Sequence, residues 1–290
     1  MKVAFAGLGV MGFPMAGHLS KAGHEMAVFN RSPQKAKDWA AKFGGRACAT
    51  AAEAAAGAEL FILCVGNDDD VRQVVAEALP GMAAGGVVVD HTTTSAVVAR
   101  DMAELAAKDG RGFVDAPVSG GQAGAENGQL TIMCGGTPEA FGKAEPVIAA
   151  YAKATRLMGG PGAGQLTKMV NQICIAGVVQ GLAEGLHFAT RAGLDPQAVY
   201  EAISKGAAQS WQMDNRWKTM SEGKFDFGFA VDWMRKDLGL VLDEAASNGA
   251  ALDMTRMVDG FYAEVQALGG RRWDTSSLVA RLETPQGSST

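Results

Sequence analysis

Lys168 and Asn171 lie three residues apart near the start of a stretch from Gly164 to Gly193. In it Leu166, Met169, Val170, Ile173, Ile175, Val178, Val179, Leu182, Leu186 and Phe188 surround most of a helical circumference. Three-residue spacing puts two side chains on nearly one face, one above the other. A helix apolar all round is usually buried. A lysine at its head either pairs with an acid or moves protons, and for the second role burial must draw its pKa down from about 10.4. Two glycine-rich segments offer further chemistry. Gly7-Leu8-Gly9-Val10-Met11-Gly12 has the GxGxxG spacing, and Ser119-Gly120-Gly121 presents consecutive N–H groups and a hydroxyl that suit a carboxylate. Taken alone, the second tripeptide reads better as an ordinary glycine turn.

The elements around these residues give them meaning. Val3 to Ala6 reads as a buried strand, GxGxxG as the turn after it, and the chain to about Ala22 as a helix stopped by Gly23. In that context Gly7 permits the tight turn, Gly9 the approach of a pyrophosphate and Gly12 close helix packing, with the helix N-terminus facing the phosphates. Strands are expected at Glu25 to Phe29, Leu60 to Val65, Val87 to Asp90, Phe113 to Val118, Leu130 to Cys134 and Thr155 to Met158. Helices are expected at Ala51 to Ala56, Ser95 to Asp109 and Pro138 to Tyr151. Val65 and the Thr92–Thr94 exit of the fourth strand fall on the C-terminal sheet edge, where α/β folds bind ligands. Asp68, Asp69 and Asp70 read as a solvated helix start rather than a metal site.

The second strand ends in Asn30-Arg31-Ser32 where an NAD binder prefers a carboxylate for the ribose 2′-hydroxyl. Arg31 suits a 2′-phosphate, aided by Asn30 and Ser32. Ser32 also suits the cap of a helix begun by Pro33. The expectation is NADP, with NAD possible.

Gly159-Gly160-Pro161-Gly162 marks a domain boundary. Beyond it strand signals cease, and helical patterns recur at Pro196 to Lys205, Gln212 to Met220, Ala230 to Ser247 and Met254 to Leu268. The fold class is α/β. A Rossmann-type dinucleotide-binding domain over 1–162 is followed by an all-α domain over 163–290, joined through the long helix, whose Lys168 and Asn171 would then stand at the interdomain cleft. Gly177, Gly181 and Gly185 recur every fourth residue despite a cost of about 1 kcal/mol each in a helix. Such a stripe predicts close packing, with a homodimer or homotetramer as the expected assembly. The tail from Thr284 is expected to fray.

With 290 residues, 26 basic against 31 acidic side chains and net charge −5, no basic block is present. Nucleic acid and anionic membranes are therefore not expected partners. The polar residues of the long helix leave no apolar run of about 20. Cys48, Cys64, Cys134 and Cys174 lack metal or disulfide spacing and read as buried hydrophobes. No metal is expected, and the four histidines are assigned no chemistry. The start of the chain lacks a signal-peptide core, so a cytoplasmic location is expected.

Four blocks in fixed order, GLGVMG at 7–12, DAPVSGG at 115–121, GQLTKMVNQ at 164–172 and KDLGL at 236–240, resemble the β-hydroxyacid dehydrogenase family. That family includes 3-hydroxyisobutyrate dehydrogenase and the reductases of tartronate semialdehyde, glyoxylate and succinic semialdehyde. The resemblance implies an NAD(P)-dependent oxidoreductase acting on a small carboxylic acid. Lys168 matches the catalytic lysine and Asn171 the substrate-holding asparagine. Ser119, Gly120 and Gly121 match the carboxylate segment, Lys236 a lysine near cofactor and substrate, and Thr93 a position near the nicotinamide. Trp211 falls where some members present an aromatic residue to the substrate, although a core tryptophan is an equal reading. The family's DxST segment with a nearby proline is here Asp90-His91-Thr92-Thr93 without it. On this resemblance Lys168 is the general acid/base, its pKa lowered by burial and by a second cation such as Lys236. An imine reductase of the same architecture and a non-catalytic dinucleotide-binding scaffold are the competing readings. The first usually replaces the lysine, and retention of all four blocks speaks against the second.

Overall fold

Short apolar strands that bury both faces build the first unit of this computed structural model, which describes residues 1–283. In order these are β1 (Lys2–Ala6), α1 (Gly12–Lys21), β2 (Glu25–Phe29), α2 (Pro33–Phe43), β3 (Arg46–Cys48), α3 (Ala51–Ala55), β4 (Leu60–Leu63) and α4 (Asp68–Ala78). Next come β5 (Val87–Asp90), α5 (Ala96–Lys108), β6 (Gly112–Asp115), β7 (Val118–Ser119), α6 (Gly121–Glu126), β8 (Leu130–Gly136), α7 (Pro138–Ile148) and β9 (Ala152–Gly159). The sheet order is β3-β2-β1-β4-β5-β6-β8-β7, with β9 also on β8. Strands β1 to β6 are parallel, whereas β8 runs antiparallel to β6 and β7. The order 3-2-1-4-5-6 creates a switch point between β1 and β4, outside whose carboxyl ends such sheets bind ligands.

The period of two along each strand divides the core. Val3, Phe5, Leu60 and Ile62 pack with Met15, Leu19 and Trp39 on one side. Ala4, Ala6, Phe61 and Leu63 pack with Val71, Val75 and Val98 on the other. Such two-sided burial is why these strands read as continuous apolar runs.

Some boundaries differ from the sequence reading for local reasons. The run from Phe113 to Val118 is two strands, because Pro117 has no N–H for a ladder. Short β3 and α6 carry too little apolar pattern to be read in advance. Strand β9 begins at Ala152 rather than Thr155 because it pairs along β8 from Leu130 onward.

The chain divides into compact units between Lys168 and Met169, inside α8 (Ala163–Arg191), whereas the glycine and proline cluster ends at Gly162. The first turn of α8 belongs with the sheet because Asp115 on β6 holds it, as described below. The second unit contains the rest of α8, α9 (Pro196–Ile203), α10 (Trp211–Ser221), α11 (Val231–Asn248), α12 (Asp253–Ala267) and α13 (Leu278–Glu283). Its core sets Ala176, Val179, Ala183 and Leu186 of α8 against Trp217, Met234, Leu238 and Tyr262. The expected fraying from Thr284 lies outside the described residues.

Burial of α8 on all sides is not what the chain achieves. Val170 is 59 %, Val178 39 % and Phe188 72 % exposed, and Cys174 is exposed with them instead of buried. The Gly177 position meets Met254, but a Cβ at Gly181 or Gly185 would find open space, so among the described residues no other backbone packs on those two. Length and composition alone would let α8 cross a membrane. Buried Gln172, however, donates to the Asp237 carboxylate at 2.7 Å, which is the behaviour of a polar side chain in a protein core.

Candidate functional site

Crowding at the end of β1 shapes the glycine loop. Gly7 has φ +94°, and a Cβ there would collide with the Cys64 carbonyl oxygen and reach Val65 Cγ1 at 3.3 Å. A Cβ on Gly12 would strike the Gly7 carbonyl oxygen, whereas one on Gly9 would stand in open space. Backbone is thus packed tightly beneath the loop and left accessible above Gly9, as a pyrophosphate requires. Met11 is the N-cap of α1 and provides no side-chain acceptor for its first amides. Those amides and the dipole suit phosphate.

Asn30 Oδ1 accepts the Leu8 N–H at 2.8 Å, and its Nδ2 donates to the Ser32 carbonyl at 3.1 Å. Its amide is therefore engaged in bracing the loop, a role the expectation of direct phosphate contact did not include. Ser32 precedes α2 without a side-chain cap bond. Arg31 has a largely exposed side chain 3.3 Å from Asp70 Oδ1, and Asp70 Oδ2 accepts the Gly66 N–H at 3.2 Å. Val10 is 66 % exposed at the loop tip.

The same sheet edge continues through Val65, whose N–H donates to Thr92 Oγ1 at 3.0 Å. Thr93 is flanked on both sides by bonds to Gln165. Gln165 Nε2 donates to the Thr92 carbonyl at 2.7 Å, and its Oε1 accepts the Thr94 N–H at 3.1 Å. One turn along α8, Lys168 is 8 % exposed, and its Nζ donates to the Val118 carbonyl at 2.9 Å. Val118 precedes Ser119, which ends β7. Gly120 follows with φ +131°, and Gly121 opens α6 with φ +61°. Contacts within the first unit thus connect Gly7 to Gly12, Asn30, Val65, the Thr93 loop, Lys168 and the Ser119–Gly121 segment.

Asn171, Trp211 and Lys236 belong to the second unit. Asn171 Nδ2 donates to Gln172 Oε1 at 2.8 Å. Lys236 Nζ lies 3.1 Å from Oδ1 of buried Asp237. Trp211 begins α10 at 57 % exposure, so it is not a core residue of the chain. The Arg216 guanidinium lies 5.1 Å from its ring centroid, and Arg216 Nε donates to buried Asp274 at 2.9 Å.

Residues 2–160 match the family model of the NAD binding domain of 6-phosphogluconate dehydrogenase. Residues 162–282 match that described as NAD-binding of NADP-dependent 3-hydroxyisobutyrate dehydrogenase. The chain belongs to the β-hydroxyacid dehydrogenase family. The chain is 62 % identical to an uncharacterized oxidoreductase of Shewanella frigidimarina (strain NCIMB 400), over 97 % of the chain and 98 % of the relative. It is 38 % identical to the probable 3-hydroxyisobutyrate dehydrogenase-like 1, mitochondrial, of Arabidopsis thaliana, over 97 % and 85 % respectively. The solved structure of Mycobacterium tuberculosis 3-hydroxyisobutyrate dehydrogenase with L-serine matches with TM-score 0.89 and 31 % identity, over 97 % of this chain and 99 % of that one. The chain is an NAD(P)-dependent oxidoreductase, as its four sequence blocks imply.

Sequence reasoning overlooked the buried polar layer beneath this edge. Asp90 and Asp115 are register partners on β5 and β6. Burial pushes Asp90 up to about 7 against its bonds with Thr92, and Asp115 up to about 6 against the amides of Gly162 and Gln165. His91, assigned no chemistry above, is a buried structural residue. Its Nδ1 lies 2.6 Å from the Ala116 carbonyl and its Nε2 2.8 Å from the Tyr151 hydroxyl. A neutral ring with the proton on Nδ1 satisfies both contacts. A histidine at the end of an apolar strand is the signal that could have revealed it.

Burial lowers the His91 pKa from 6.5 to about 4, so the folded protein favours the neutral ring. Its contribution is whole above pH 6.5 and lost as pH falls towards 4. Urea unfolding is expected to show wild type losing about 2 kcal/mol relative to His91→Gln between pH 7.5 and 5. Parallel pH profiles of the two proteins would contradict this assignment.

Proposed function

We propose that this β-hydroxyacid dehydrogenase interconverts a small β-hydroxy acid of the 3-hydroxyisobutyrate type and its semialdehyde, with Lys168 as proton carrier and NADP as preferred cofactor. The observation that carries this reading is the buried Lys168 amine held 2.9 Å from the Val118 carbonyl, at the entry to Ser119–Gly121. The ammonium and the carboxylate-binding segment thereby share one short stretch of structure. The nicotinamide supplies the hydride chemistry when bound. In oxidation, the substrate hydroxyl gives its proton to neutral Lys168. In reduction, the ammonium returns a proton to the carbonyl oxygen. The Ser119 hydroxyl and the amides of Gly120 and Gly121 hold the substrate carboxylate, and Asn171, one turn along α8, orients the substrate. A compact carboxylate segment favours three- or four-carbon acids, in keeping with the names of the Arabidopsis and Mycobacterium relatives.

The NADP preference rests on Arg31. It follows β2 in place of a carboxylate, and its largely exposed side chain is paired with Asp70. A bidentate guanidinium contact suits a 2′-phosphate. The oligomeric reading rests on the uncovered apolar face of α8, where Val170, Val178 and Phe188 stand beside open Gly181 and Gly185. A second copy of the chain is the proposed cover.

Three measurements address these statements. Lys168→Ala is expected to lower turnover of 3-hydroxyisobutyrate by about 10²–10⁴-fold, and wild-type turnover would end the assignment. In fluorescence titrations, Arg31→Ala should weaken NADPH roughly tenfold or more while leaving NADH within about twofold. Equal weakening of both would remove Arg31 from selectivity. Sedimentation analysis should give a dimer or tetramer, and a monomer at micromolar concentration contradicts the assembly.

A further inference from the structure

Two fully buried polar side chains lie outside the proton-transfer scheme. Asp115 ends β6, and its carboxylate bridges the head of α8. Its Oδ1 accepts the Gly162 N–H at 2.8 Å and its Oδ2 the Gln165 N–H at 2.9 Å. The first amides of a helix have no intrahelical partners, and an unpaired buried amide costs about 1–3 kcal/mol. This carboxylate therefore specifies where α8 begins. The surrounding backbone is cleared for it. A Cβ on Gly164 would collide with the Met133 carbonyl oxygen and come within 2.8 Å of Asp115 Oδ2. A Cβ on Gly135 would come within 2.5 Å of Asp115 Oδ1 and 2.7 Å of the Gly164 nitrogen. Helix and sheet edge thus meet with no room for a side chain between them.

Gln165 extends the connection in the other direction. It receives the Asp115 bond on its backbone, while its side-chain amide bonds Thr92 and Thr94 on either side of Thr93. Lys168 lies three residues further along, on nearly the same helical face. A rigid route therefore runs from the β6 carboxylate through the first turn of α8 to the Thr93 loop and to the Lys168 amine.

We infer that Asp115 and Gln165 are positioning residues that hold the Lys168 amine in register with the Thr92–Thr94 loop. The inference rests on the reading of Lys168 as proton carrier. Neither residue is assigned contact with substrate or cofactor. Their effect is exerted through the lysine, and a displacement of about 1 Å in such a group can slow chemistry 10²-fold.

The test is a pair of double-mutant cycles by single-turnover kinetics with NADPH and a semialdehyde acid. Asp115→Asn and Gln165→Met are each measured alone and combined with Lys168→Ala. Each single variant is expected to slow hydride transfer 10- to 100-fold, with NADPH affinity by fluorescence within threefold of wild type. Hydrogen exchange of the peptide covering 162–168 should quicken. In the Lys168→Ala background, either substitution should cost less than a further twofold, because the group it positions is gone. A structural role predicts instead that the losses multiply in full, which would overturn the proposal. Wild-type hydride transfer in folded Gln165→Met would overturn it as well. If Asp115→Asn fails to fold by near-ultraviolet circular dichroism, Gln165→Met decides alone, since the Asp115 carboxylate stays in place. Full activity of Lys168→Ala by itself would sink the reading of the lysine, an outcome separate from either failure of the cycle.

Discussion

A helix that starts inside a protein leaves amides that only an acceptor from elsewhere in the fold can satisfy. Here the acceptor is the carboxylate of Asp115, and much of the sheet edge is arranged around it. Its strand places it beside Asp90, the glycines at 135 and 164 leave space for it, and α8 takes its starting point from it. Burial alone would favour the protonated acid. The amides of the helix oppose that tendency, so the burial of the carboxylate and the burial of the helix start offset one another. The polar layer under the site is therefore part of what locates the helix.

A related geometry governs the other end of the site with the polarity reversed. At the glycine loop the amides of α1 are directed towards an incoming phosphate rather than an internal carboxylate. What the protein supplies there is clearance. The Cys64 carbonyl and the Gly7 carbonyl each occupy the position a Cβ would need, and Asn30 fixes the loop from the side through the Leu8 amide. Preorganisation of this kind avoids ordering the loop at the moment of binding.

Much of this was legible in the sequence because the signals are local. Strand, glycine turn and helix follow one another within the first residues, and the apolar runs of a parallel sheet carry their own pattern. Lys168 stood out because a charge broke an apolar helix. Partnerships across distance were not legible. Nothing near Asp115 announces amides 47 and 50 residues away. Asn30 looks like a ligand from its position after β2, yet it bonds a loop 22 residues earlier. The apolar circumference of α8 suggested burial of Cys174, because hydrophobicity records that a face prefers cover without recording whether its own chain provides it.

The pair between Arg31 and Asp70 bears on cofactor choice in a further way. The Arg31 side chain is largely exposed and that of Asp70 24 % exposed, and ion pairs reached by solvent are typically worth about 0–1 kcal/mol, so this guanidinium can exchange a carboxylate for another anion with little loss. If Arg31 meets the 2′-phosphate as proposed, the rim of the adenosine end behaves as an exchanger rather than an empty socket. Its selectivity is a difference between two contacts made by one side chain, and that difference narrows as added salt screens both.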